Sequence, residues 1–308
     1  MAGISIIILS RSAKKGLFSA TNHKLCGAKS GGILVKLNKL LISGIMASLA
    51  LSACAPQKND SSILTSGDGI IGGTELKSED SMSQSIVAVY DAFEGQICTG
   101  SLLTNNIVLT AAHCIGLFQE DMYVFFGTAI TATSEHRKVE KVEISQYWEN
   151  RQGEDFDTGD IALIKFSGEL PAGYKPATLL GNKRNIKKGA EIVLAGYGIA
   201  DGKTGAGIGT LRTTKVKIDN PNYSTSEFLV DQTQGTGACH GDSGGPAYLE
   251  QNGKLYLMGI TSRGVKDENN DCSQYAAFTS TLYYKSWINR MVTRLTSSLV
   301  DPNQLMPK

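Results

Sequence analysis

Neither a CxxC pair nor an HxxxH spacing occurs anywhere in the 308 residues, so the ligand patterns that usually hold zinc are missing and no metal or cofactor is expected. No carboxylate-rich loop of the kind that binds calcium stands out between Phe126 and Glu149. Basic charge is not in excess: 30 Lys and Arg face 29 Asp and Glu. Seven of those basic residues fall within residues 1–54, which hold no acid, so the rest of the chain carries 23 basic against 29 acidic groups. That balance argues against a nucleic-acid partner. No internal repeat is visible either. What the chain does have is 41% hydrophobic content, enough for a real core at this length.

The missing acids at the N-terminus mark a leader. Lys36 and Lys39 precede an apolar stretch, residues 40–53, which is too short to span a bilayer comfortably but suits the core of a signal peptide. With residues 35–39 it already forms a complete signal, so translation is expected to begin at Val35. The stretch ends in Leu51-Ser52-Ala53-Cys54, which resembles the bacterial lipobox, where the cysteine is lipidated and becomes the mature N-terminus. Ala55 resembles the outer-membrane-directed pattern; a plain cleaved signal and an organellar transit peptide are the lesser readings. An exported lipoprotein is therefore expected, held to a membrane only through Cys54, or periplasmic or secreted after processing. Residues 55–69, rich in Ser, Asp, Asn and Gly, read as a flexible tether. Of six cysteines, Cys26 lies in the leader and Cys54 takes the lipid. Cys98, Cys114, Cys239 and Cys272 remain for disulfides, and by count alone three pairings are open.

From Ile70 onward, short apolar runs are separated by Gly, Asn and Asp. They fall at residues 85–90, 96–103, 107–111, 122–126, 138–144, 161–166, 191–196, 211–218, 247–249 and 254–261. Runs of this length and spacing predict an all-β barrel or sandwich. Only the end reads as helical. Tyr284, Trp287, Ile288, Met291 and Leu295 share one helical face, which predicts a helix over residues 283–299 docked on the body. Residues 300–308 are expected to be loose.

Three motifs carry chemistry: Thr-Ala-Ala-His-Cys at 110–114, Asp-Ile-Ala-Leu-Ile-Lys at 160–165 and Gly-Asp-Ser-Gly-Gly-Pro at 241–246. A serine hydroxyl is a poor nucleophile at neutral pH, so it needs a base to take its proton and a buried acid to orient that base. His113 suits the base, since an ordinary histidine pKa of about 6.5 serves a proton shuttle near neutrality. His136 sits among charged residues, while His240, three residues before Ser243, is the serious rival. Asp157 competes with Asp160, but Asp160 leads into a buried-strand pattern and Asp157 lies in polar loop sequence. The small residues around Ser243 let the chain turn so that the N–H groups of Gly241 and Ser243 converge on a developing oxyanion. The same segment fits the G-x-S-x-G elbow of an α/β-hydrolase, but that fold places its histidine after the serine, and none follows Ser243.

With these motifs in chain order, residues 70–297 resemble a trypsin-like, chymotrypsin-fold serine protease. The resemblance implies two six-stranded antiparallel β-barrels with a C-terminal α-helix, and a cofactor-free serine endopeptidase acting through His113, Asp160 and Ser243. It also implies the pairings Cys98–Cys114 and Cys239–Cys272, and Ser262 as a hydrogen-bond partner of Asp160. Ile70-Ile71-Gly72-Gly73 matches the segment that family members expose by cleavage, whose new ammonium pairs with the acid matched here by Asp242. Cleavage after Gly69 is thus expected, by another protease, since Gly69 stands where Arg or Lys is usual. The primary pocket is expected to hold Gly237 at its floor, His240 at its rim, and Gly264 and Ala276 on its walls, with Ser262 beside them. With Gly237 where trypsin-type enzymes place Asp, that pocket reads as uncharged and open, favouring apolar P1 residues; Asp267, Glu268 or Asp271 would be the means of accepting Lys or Arg instead. Arg263 replaces a tryptophan. Partners are protein or peptide substrates and an activating protease, and the chain is expected to be monomeric. The rival reading is a catalytically silent surface lipoprotein that uses the same scaffold to bind proteins.

Overall fold

Strand pairing in the computed structural model accounts for the rhythm of apolar runs and turns. The structure describes residues 70–151 and 153–297; the expected leader, Cys54, the tether and the tail lie outside the described residues. After a two-residue strand β1 (Thr74–Glu75), five strands follow: β2 (Ile86–Asp91), β3 (Gln96–Leu102), β4 (Ile107–Thr110), β5 (Met122–Phe125) and β6 (His136–Ile144). A short helix α1 (Gln146–Arg151) leads to β7 (Ala162–Phe166), and these strands close a six-stranded antiparallel barrel in the order β2-β3-β4-β7-β6-β5.

The second half repeats the plan with β8 (Glu191–Gly196), β9 (Arg212–Asn220), β10 (Glu227–Asp231), β11 (Pro246–Gln251), β12 (Lys254–Val265) and β13 (Tyr275–Ser280). Their order is β9-β10-β13-β12-β11-β8, and the β8–β9 pairing closes this barrel too, with β1 added along β9. The last described element is α2 (Lys285–Thr296), shorter at both ends than the sequence pattern suggests. Helix α1 was not expected, because six residues are too few to establish a helical period. Among the described residues no helix is long and apolar enough to cross a membrane.

The runs are apolar on both faces because each barrel has two things to pack against. In β2, Val87 and Val89 fill the interior of the first barrel, while Ile86 and Ala88 turn to the seam between barrels. In β8, Ile192 and Leu194 point into the second barrel and Val193 and Ala195 into the same seam. Helix α2 docks there through Ile288 and Leu295, with Trp287 and Met291 beside them. Each fully buried aliphatic side chain of this kind contributes roughly 1.5–3 kcal/mol. The seam thus fixes the two barrels against each other, and it is along this junction that the three motifs meet.

Candidate active site

His113 lies in a 3-10 turn, Ala112–Cys114, immediately after β4, and the disulfide between Cys98 and Cys114 staples that turn to β3. Asp160 precedes β7, the neighbour of β4 in the barrel, so pairing of the two strands brings both residues to one end. The His113 Nδ1 lies 2.8 Å from Asp160 Oδ2, and the His113 backbone N–H donates to Oδ1 at 3.0 Å. Ser262 completes the set: its hydroxyl donates to Asp160 Oδ2 at 2.6 Å. A shift of register in β12 between Thr261 and Arg263 accompanies this, as bulges commonly re-aim a side chain beside a site.

Charge in this cluster is settled by its hydrogen bonds. Burial alone would raise the Asp160 pKa, but the His113 charge and the bonds from His113, Ser262 and the backbone hold it below the ordinary carboxylate value. Burial likewise opposes the imidazolium, yet the charge and hydrogen bond of Asp160 outweigh it and leave the His113 pKa above 6.5. An acid that stays ionised beside an imidazole made more basic is the arrangement a proton acceptor needs.

Ser243 comes from the other barrel, on the loop before β11. Thr99, next to Cys98 in β3, clamps that loop across the seam: its N–H donates to the Ser243 carbonyl at 2.9 Å and its hydroxyl to the Gly241 carbonyl at 2.9 Å. Nothing in the sequence singles out Thr99, since its role exists only once the barrels meet. Gly241 adopts φ +94° and lies so close to Gly198 that a Cβ would stand 2.8 Å from its Cα, which requires glycine on both counts. Among the described residues neither the Gly241 nor the Ser243 N–H donates to a protein acceptor, and both residues line the cleft that also holds His113. The Ser243 hydroxyl and the His113 ring share this cleft without a direct hydrogen bond. Unliganded sites of this chemistry often tighten only when substrate binds.

The competing residues are engaged elsewhere. Asp157 accepts from the Ser224 and Ser226 hydroxyls and the Ser226 N–H. His240 is exposed and reaches the Asn270 carbonyl, 3.3 Å from its Nε2. Two groupings of cysteine with histidine, Cys98–His113–Cys114 and Cys239–His240–Cys272, have their sulfurs in disulfides, the second bond joining Cys239 to Cys272.

Asp242 is fully buried and accepts from the Gly198 and Cys239 N–H groups, each at 2.8 Å. Among the described residues no ion pair reaches it, and burial pushes its pKa up to about 7 despite these two bonds. Ile70, joined to residue 69 in this chain, is also fully buried, with φ +43°, a conformation costly for a β-branched residue. The Ile71 carbonyl accepts from the Gly237 N–H at 3.0 Å.

The expected pocket residues divide. His240, Ser262, Gly264 and Ala276 line the cleft with Ser243, and Asp267 joins them beside Gly264. Gly237 does not line it; Gln232 does. The open floor expected at Gly237 is therefore corrected: a Cβ there would overlap the Gln232 side chain. Arg263 forms a bidentate pair with the buried Glu227, at 2.7 and 3.1 Å.

Two closed barrels with a histidine–aspartate couple and a half-buried serine at their junction define a chymotrypsin-fold hydrolase. The family model described as Trypsin matches residues 70–288, and the chain belongs to that family. It is a serine protease, acting on protein or peptide substrates.

Proposed function

We propose that the protein is an endopeptidase in which Ser243 is the nucleophile, His113 the general base and Asp160 the acid that orients it. Ser243 Oγ attacks the scissile carbonyl while His113 Nε2 takes its proton. Asp160 remains ionised and stabilises the imidazolium. The N–H groups of Gly241 and Ser243 receive the oxyanion, a contribution of about 2.7–4 kcal/mol per donor in sites of this kind. His113 then returns the proton to the departing amine, and water releases the acyl group from Ser243 by the same steps in reverse. The observation that carries this reading is the 2.8 Å His113–Asp160 contact facing the cleft that contains Ser243 and two N–H groups without protein acceptors.

The chain is made as an exported zymogen, in this reading, with a bacterial lipoprotein signal ending at Cys54. A second protease cuts after Gly69, and the Ile70 ammonium moves against Asp242, which is buried and has no ion pair among the described residues. That cut also frees a monomeric enzyme from its lipid anchor, periplasmic or secreted; before it, the chain sits at the outer membrane. The primary pocket, uncharged at its base, takes apolar P1 residues.

A fluorophosphonate probe tests the catalytic assignment. Protein processed to begin at Ile70 is expected to form an adduct at Ser243, and Ser243→Ala to form none while keeping its melting temperature. Absence of an adduct on the processed wild-type protein would instead support the catalytically silent binding scaffold.

A further inference from the structure

The base of the primary pocket is built by a residue that directly follows β10, on the same segment between β10 and β11 that carries the nucleophile. Gln232 is 2% exposed, yet its side chain lines the cleft of ≈ 540 Å³ that holds Ser243, whereas Gly237 does not. A Cβ placed on Gly237 would overlap the Gln232 Cδ and Oε1 atoms and stand 2.5 Å from Cγ. The glutamine therefore lies over Gly237, in the space that a side chain at 237 would otherwise occupy. We infer that Gln232 is the specificity-determining residue of the primary pocket, raising its floor so that the enzyme cleaves after small apolar side chains such as Ala and Val. This deepens the endopeptidase reading and rests on it.

Three hydrogen bonds hold the amide in place. Its Nε2 donates to the Ala238 carbonyl at 3.1 Å and the Cys272 carbonyl at 3.0 Å, and its Oε1 accepts from the Ala238 N–H at 2.8 Å. Both amide hydrogens are thus used, and swinging the side chain away to admit a larger substrate group would strand buried donors and acceptors. The bonds also join the two segments linked by the Cys239–Cys272 disulfide, so floor and wall form one unit. A neutral amide gives a lysine or arginine side chain no counter-charge at depth. The Ala276 methyl narrows the wall further. The carboxylate of Asp267 belongs to the wall beside Gly264, and its Oδ2 accepts from the Cys272 N–H at 2.8 Å.

The experiment uses processed enzyme and a peptide series identical except at P1, with Ala, Val, Phe and Arg, and compares kcat/KM for the wild type and Gln232→Ala. The wild type is expected to favour Ala or Val over Phe and Arg by at least about tenfold, the scale on which pockets discriminate by size. In Gln232→Ala the Phe-to-Ala ratio is expected to rise by about tenfold or more. If that variant fails to fold, the wild-type profile decides. A labelled enzyme that prefers Phe, or that prefers Arg through Asp267, overturns the inference alone, as does a variant ratio that does not move. Neither labelling nor hydrolysis of any peptide overturns the endopeptidase reading together with it.

Discussion

Two aspartates, Asp160 at the end of the first barrel and Asp242 in the second, are both fully shut away from water, and their surroundings push them in opposite directions. Asp160 has an imidazole, a hydroxyl and a backbone N–H on its oxygens and is held below the ordinary pKa. Asp242 has two backbone N–H groups, no ion pair among the described residues, and a pKa raised to about 7. Burial is the same; the company differs. The histidine–aspartate half of the site is electrostatically complete in the uncut chain, whereas the carboxylate next to Ser243 is not. In the proposed mechanism that difference is the reason cleavage controls activity.

The comparison can be broken first at its complete half. Asp160→Asn in the processed enzyme is expected to lower kcat by about 10⁴-fold while leaving the fold intact, because the amide stabilises the wrong imidazole tautomer. A loss of less than tenfold would mean that Asp160 is merely one buried acid among others. A smaller effect is expected one step out. Ser262→Ala removes a charged hydrogen bond worth about 1.5–3 kcal/mol from Asp160, so kcat/KM should fall by about 10- to 150-fold, with no change in Ser243 labelling stoichiometry.

Much of the first half was readable from sequence, and less of the second. His113 and Asp160 are flagged by short local motifs and the two disulfide pairings by likeness to a family alone, and the structure brings their residues together. Strands β10 and β13 escaped the hydrophobic pattern for physical reasons. β10 opens with Glu227, whose burial makes sense only with Arg263 from β12 paired to it, and β13 is weakened as a β signal by Ala276 and Ala277. Thr99 and Gln232 act through contacts across the seam or over a glycine, which no spacing along the chain encodes. The glycine at 237 reads as an open floor in sequence for that reason: in space the position is covered by Gln232, from the same segment between β10 and β11.

The most direct test compares thermal stability against pH for wild-type Asp242 and Asp242→Asn, in uncut chain and in chain cut to begin at Ile70, all carrying Ser243→Ala to prevent autolysis. An acid whose folded pKa is raised from 3.8 to about 7 stabilises the fold most when protonated, and that contribution is lost as pH rises from about 4 to 7. The uncut aspartate protein should therefore lose several degrees relative to its asparagine counterpart over this window, while in the cut protein, where an ammonium holds the pKa below its ordinary value, the difference between the two should stay nearly constant over the same window, its own change falling below about pH 4. If the cut protein loses as much as the uncut one over this window, Asp242 does not exchange solitude for a charge partner on cleavage, and the proposed activation is contradicted.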